Sequence, residues 1–232
     1  MRPGMSETAP DAKGPLAKLG EARRLIARAA EEAGRDPAAI EIQAVTKTHD
    51  AEAIAPLLAA GHRAFGENRV QEAAGKWPAL RERYPDARLH LIGPLQSNKA
   101  ADAVALFDGI ETVDREKIAR VLAEEMARQD RRLPVLVQVN TGEEDQKAGV
   151  PPREAVAFAA RCREAYGLDL RGFLCIPPLG QPPAPHFALL DKLAAEAGLP
   201  ERSMGMSGDF EAAVSLGATR VRLGSWLFGA RG

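Results

Sequence analysis

The chain has 232 residues, 45% apolar and 27% charged, with 31 basic against 32 acidic side chains. This is a globular composition, and its charge balance excludes a strongly basic nucleic-acid binder or a polybasic membrane anchor. Cys162 and Cys175 belong to no Cys-x-x-Cys or Cys/His cluster, so neither a disulfide scaffold nor a metal site is expected. No apolar run approaches the ~20 residues of a membrane span, and the N-terminus lacks the apolar core of a signal peptide. A cytoplasmic location, where thiols stay reduced, is the expectation.

Residues 1–15 hold Pro3, Gly4, Pro10, Gly14 and Pro15 and read as a flexible tail. Leu16, Leu19, Ile26, Ala30 and Ala33 then recur at helical spacing, and Gly34 ends the pattern. Eight β-like runs follow, each trailed by an Ala/Glu/Arg-rich helical stretch. They are Ile40–Lys47, Ala64–Asn68, Arg88–Pro94, Gly109–Val113, Leu133–Asn140, Asp169–Ile176, Ser203–Met206 and Thr219–Gly224. Their ends fall about 25 residues apart, the length of one βα unit in a barrel of this size. Regular alternation predicts a parallel sheet with helices outside. Eight units predict a single (β/α)8 TIM-type barrel with an extra N-terminal helix, in one domain over residues 16–232. An open doubly wound sheet is the alternative. No glycine fingerprint supports it, because Thr46-Lys47-Thr48 closes the first run. The proline-rich stretch Pro177–Pro185 lies between a strand and its helix and reads as a rim loop.

Ligands of such barrels bind at the C-terminal ends of the strands. Lys47 ends an apolar run there, and two readings are open. It is a rim lysine paired with an acid, or an amine that forms an imine with an aldehyde. Ser207 stands before Gly208-Asp209-Phe210 and reads as a helix N-cap, while Gly224-Ser225 precedes a short apolar helix. Adjacent helix starts at the seventh and eighth strands suit a phosphate, although ordinary capping explains such serines as well. Arg222 shares a strand face with Gly224, opposite Val221 and Leu223. Inside a barrel it needs an acceptor, and Glu67 is one candidate. Asn68 and Asn140 either meet a ligand hydroxyl or tie strand ends together, the second reading being preferred. His90 reads as a satisfied core histidine, Cys175 as packing, and Lys99 and Lys147 as solvated loop residues.

The blocks Ala44–Lys47, Phe65–Glu72, His90–Lys99, Val137–Asn140, Leu170–Gly172, Ser203–Ser207 and Val221–Ser225 resemble the pyridoxal phosphate homeostasis proteins, in order, from about residue 16 to 231. The resemblance implies a barrel like the N-terminal domain of alanine racemase, with pyridoxal 5'-phosphate (PLP) held as a Schiff base on Lys47. It further implies phosphate contacts from Ser207, Gly224 and Ser225, a pocket wall at Asn68, and Arg222 facing the pyridine nitrogen. The family handles intracellular vitamin B6 supply without an established turnover. Thr46 stands where serine is usual and Ser225 where threonine is common, both keeping a hydroxyl. Thr141-Gly142 and Pro177–Pro185 depart further, on the rim near the fifth and sixth strands.

A PLP-dependent racemase-like enzyme is the competing reading. Racemases of this barrel type pair the lysine with a tyrosine from a second domain. The two tyrosines here, Tyr84 and Tyr166, both end helices that lead into strands, and the sequence stops soon after the eighth run. An arginine at the ring nitrogen keeps the ring neutral and weakens it as an electron sink. A barrel that binds a phosphorylated sugar would use the same phosphate loops, with no need for the imine lysine. The expectation is therefore a PLP-binding protein that is not an efficient enzyme. Its expected partners are PLP and apo PLP-dependent enzymes, without nucleic acid or membrane, and it is expected to be a monomer.

Overall fold

Eight strands, each leading into a helix, close on themselves in the computed structural model, which describes residues 14–229. They are β1 (Glu41–Val45), β2 (Ala64–Glu67), β3 (Arg88–Leu91), β4 (Gly109–Val113), β5 (Pro134–Val139), β6 (Asp169–Cys175), β7 (Glu201–Met206) and β8 (Arg220–Leu223). All neighbours are parallel and in chain order. β8 pairs back onto β1, with Gln43 opposite Arg222 and Ala44 opposite Leu223. That closing pair excludes the open doubly wound sheet.

The extra N-terminal helix is α1 (Pro15–Glu32). The helices after the strands are α2 (Ala51–Ala59), α3 (Val70–Arg83), α4 (Ala100–Leu106), α5 (Glu116–Arg128), α6 (Pro152–Glu164), α7 (Ala184–Glu196), α8 (Phe210–Ser215) and α9 (Ser225–Phe228). α1 starts at Pro15, a residue with a preset helical φ and no N–H to lose at a helix start. Most of the expected tail, residues 1–13, lies outside the described residues. α1 covers α8 and α9, so the barrel seam between its last helices and β1 is sealed. Among the described residues no helix is long and apolar enough to cross a membrane.

Period-2 alternation sorts the strand side chains. Ile42, Phe65, Leu89, Leu91, Val135, Val137, Val221 and Leu223 belong to the apolar layer under the helices. Phe65, for example, packs against Trp77 of α3 with ring centroids 5.0 Å apart. The other strand face is mixed, with Leu136 beside His90 and Glu111. Gln43, His90, Glu111, Ser203 and Arg222 are all buried within the barrel.

Only Gly109–Val113 keeps its expected bounds; most of the other shifts are of one residue, while β1, β3 and β7 move further, β3 stopping at Leu91 instead of Pro94. β1 stops at Val45, because the chain turns at Thr48, whose φ is 67°. β7 begins at Glu201, since Glu201 and Arg202 already pair with Gly172 and Phe173 of β6.

Candidate functional site at the barrel mouth

Lys47 stands two residues beyond β1, in a turn closed by a 3.1 Å bond from His49 N to Thr46 O. It is half-buried. Three side chains hold this turn. The Lys76 ammonium donates to Thr46 O and His49 O, each at 2.7 Å. Glu72 accepts from the Thr48 amide, and Thr46 Oγ1 donates to the buried Glu67 carboxylate. Glu67 also pairs with Lys76 at 2.9 Å and accepts from Trp77 Nε1 at 3.1 Å. Glu67 therefore serves the β1 turn and is not the acceptor considered for Arg222.

The loops after β7 and β8 meet beside this turn. Asp209 is the N-cap residue of α8, and its carboxylate accepts from Met206 N at 2.6 Å. Ser207 is thus not the N-cap expected from the sequence. Its hydroxyl instead accepts from the Trp226 amide, in the first turn of α9, at 2.9 Å. Gly205, at φ 88°, permits this bend; a Cβ there would lie 2.5 Å from Ala213 Cβ of α8. Gly224 is the N-cap position of α9, and a Cβ on it would lie 3.4 Å from Val45 Cβ, at the end of β1. Ser225 is exposed and borders a cleft of about 650 Å3 with His49, Lys18 and Trp226. The three phosphate candidates and the Lys47 turn thus gather at one sector of the mouth.

Arg222 enters the barrel beneath that sector. Its guanidinium donates to Ser203 Oγ at 2.9 Å and to Cys175 O at 2.8 Å. Ser203 in turn donates to Glu111 Oε2 at 2.6 Å. The other Glu111 oxygen meets Gln43 Nε2 at 2.8 Å, His90 Nδ1 at 2.8 Å and Arg220 Nη1 at 3.0 Å. Arg220 also binds Glu41 and Glu201. Burial alone pushes the Glu111 carboxyl up, but Arg220, His90 and Ser203 outweigh it and hold it well below the usual carboxylate range. Burial pulls Arg222 down from the usual arginine value, and Glu111 works against that shift. The barrel interior thus holds one connected ionic network that reaches the mouth through Arg222 and leaves Gln43 Oε1 without a partner.

Sequence reading missed Glu111, Ser203, Gln43 and Lys76. A signal existed for Glu111, a charged side chain inside the apolar run Gly109–Val113. Lys76 was visible only as the i+4 partner of Glu72 in a helix.

The remaining candidates have defined places. Asn68, half-buried, borders a rim groove of about 600 Å3 shared with Arg69, Gln96 and Arg115. Asn140 donates to Glu144 O at 2.8 Å and accepts from Glu144 N at 3.2 Å, so it ties its own loop. Lys147 is half-buried; it pairs with Glu144 at 2.6 Å and donates to Pro177 O at 3.3 Å. Lys99 is half-buried and lies 3.8 Å from Asp102. The two segments that depart most from the family pattern touch, since a Cβ on Gly142 would lie 2.2 Å from Pro178 Cγ.

His49 stacks on Phe228 at 4.3 Å, and burial with the Lys76 charge pulls it below the usual histidine range. His186, in the first turn of α7, bonds Thr141 O at 3.2 Å. Tyr84 ends α3 against the Arg63 and Arg83 guanidiniums, and Tyr166 Oη donates to Glu116 at 2.6 Å. Burial pushes both cysteine thiols up to about 12, which makes them poor nucleophiles.

Residues 19–232 match the family profile of the alanine racemase N-terminal domain. The chain is 44% identical over 211 residues to the pyridoxal phosphate homeostasis protein of Pseudomonas aeruginosa, covering 89% of this chain and 91% of the relative. Its counterpart in Escherichia coli K12 is 40% identical over 222 residues, covering 92% and 95%. Among solved structures, PipY of Synechococcus elongatus with PLP bound superposes with a TM-score of 0.75 at 37% identity, covering 88% of this chain and all of that one. Alanine racemase of Clostridium difficile, at 16% identity and a TM-score of 0.68, shares the fold over 91% of this chain and 57% of its own. The chain belongs to the alanine racemase N-terminal domain family, among the pyridoxal phosphate homeostasis proteins.

Proposed function

We propose that this protein binds PLP at the barrel mouth and serves intracellular vitamin B6 homeostasis. Lys47 is the amine that takes the PLP aldehyde as a Schiff base. Ser207, Gly224 and Ser225 hold the phosphate, Arg222 faces the pyridine nitrogen, and Asn68 lines the approach. The observation that carries this reading is the Ser207–Trp226 contact. It joins the β7 and β8 loops into one cradle, beside the strand end that carries Lys47. A phosphate there meets a hydroxyl and backbone amides, the donors that a dianion needs. Bound PLP supplies a reactive aldehyde and a conjugated ring. The residues of the chain supply anchorage, orientation and the charge at the ring.

Absence of efficient turnover is part of the proposal. A two-base racemisation needs a second acid/base group beside the lysine. Both tyrosines of the chain are engaged elsewhere, Tyr166 with Glu116 and Tyr84 with two arginines, and His49, the remaining candidate near Lys47, is stacked on Phe228. Arg222 carries a positive charge and accepts no proton, so it keeps the ring nitrogen unprotonated. The protein thus holds PLP and releases it to incoming amines, apo PLP-dependent enzymes among them, as a cytoplasmic monomer.

The test is a titration of the apo protein with PLP, following the visible absorbance of the imine, with Lys47→Ala alongside. The wild type should develop the band and the variant should not. Incubation of the PLP-loaded protein with each common L-amino acid should give racemisation or deamination far below ~1 s⁻¹, the low end for ordinary enzymes. Turnover at or above that rate would overturn the carrier reading.

A further inference from the structure

Lys47 occupies the second position of the turn Thr46–His49, and the third position is Thr48 at φ 67°. That position in a turn ordinarily selects glycine, and a β-branched residue there is an outlier that persists only where its surroundings impose it. What imposes it is visible. Lys76 reaches out of α3 and binds the carbonyls of Thr46 and His49, the first and last residues of the turn, at 2.7 Å each. Glu72, one helical turn earlier, takes the amide of Thr48 itself. The Lys76 side chain is only 10% exposed and is locked from behind by Glu67 and Glu72, each at 2.9 Å. A mostly buried ammonium thus spends its bonds on the backbone of one irregular turn, the turn that presents Lys47.

We propose that Lys76 and Glu72 form a positioning clamp that fixes the direction from which the Lys47 amine meets its carbonyl ligand. This rests on the reading of Lys47 as the imine-forming amine. Imine formation joins the lysine nitrogen to the aldehyde carbon and releases the carbonyl oxygen as water, so it needs the nitrogen on a defined line of approach. Holding that line lowers the entropic cost of the covalent step and leaves the noncovalent docking of ring and phosphate untouched. Neither clamp residue touches the ligand in this scheme; both act through the backbone on either side of Lys47.

The experiment compares PLP with pyridoxine 5'-phosphate, its alcohol counterpart, which docks without forming an imine. Dissociation constants for both are measured on wild type, Lys76→Met, Lys76→Arg and Glu72→Ala, with thermal unfolding as a control. Glu72→Ala leaves the Lys76–Glu67 pair in place and serves if Lys76→Met fails to fold. The clamp predicts that Lys76→Met weakens PLP about tenfold or more and Glu72→Ala about threefold. The alcohol should stay within about twofold for both variants, and Lys76→Arg should recover part of the loss. An unchanged ratio of the two dissociation constants in Glu72→Ala and in any folded Lys76→Met overturns the clamp. Equal binding of PLP and the alcohol by the wild type overturns the imine reading, and the clamp with it.

Discussion

Arg222 donates to the hydroxyl of Ser203 at 2.9 Å, deep in the barrel, and that hydroxyl donates in turn to Glu111 at 2.6 Å. One small side chain thereby connects the cation beneath the mouth to the central carboxylate. Ser203→Ala removes both bonds and buries their partners. It should destabilise the fold by about 1–3 kcal/mol, the usual cost of leaving buried polar groups without a partner. Urea unfolding of the variant against wild type reads this directly, and an unchanged midpoint would contradict it.

Glu111 is the hub on which Arg220, His90, Gln43 and Ser203 converge. Glu111→Ala strips the counter-charge from a mostly buried arginine and should cost about 3–5 kcal/mol, as broken buried pairs do. Because Glu111 and Ser203 share a bond, the double variant should cost less than the sum of the two single losses. Additive losses in the same urea assay would show that the two act independently.

Ser207→Ala should weaken PLP by roughly tenfold, since the amides of α9 remain and about 1.4 kcal/mol is one decade in affinity. Pyridoxal, which lacks the phosphate, should bind far more weakly than PLP, because each charge-assisted bond contributes about 1.5–3 kcal/mol. Calorimetric titration with both ligands checks the pair of expectations; equal affinities would remove the phosphate cradle from the account.

His62 supplies a pH test at the other end of the barrel. It is buried just before β2, bonded to Ala64 O at 2.9 Å, and burial pulls it down to about 4 from the usual 6.5. The unfolded chain therefore takes up a proton near pH 6.5 that the folded chain takes up only near pH 4. Stability should fall as pH drops through that window, by at most about 3 kcal/mol from this group. His62→Gln should flatten that part of the profile of unfolding free energy against pH. A profile of unchanged slope between pH 6.5 and 4 would assign the loss to other groups.

The barrel was legible because it is periodic. Eight apolar runs at a regular spacing leave few alternatives, and parity alone put Arg222 on the strand face opposite Val221 and Leu223. Its partner was not legible, since Glu111 and Ser203 lie 111 and 19 residues away in sequence from Arg222 and meet it only once the barrel closes. Ser207 was assigned to the wrong helix. A serine before Gly-Asp-Phe looks like a cap, yet Asp209 takes the N-cap position and leaves the hydroxyl to cross to the next loop. The turn at Lys47 was hidden for a different reason. Thr48 has no local preference for a positive φ, and the turn is imposed by Lys76 and Glu72 from a neighbouring helix. Lys147, read as solvated, is bound by Glu144 and Pro177 on a loop contact that spacing does not encode.

Everything proposed for the barrel mouth depends on Lys47 carrying PLP. The most direct measurement is borohydride reduction of the PLP-loaded protein, followed by digestion and mass mapping of the pyridoxyl group across its lysines. The expected result is one dominant site at Lys47, lost in Lys47→Ala while the variant keeps its fold by circular dichroism. A dominant label on any other lysine, or an undiminished label in the variant, would contradict the account.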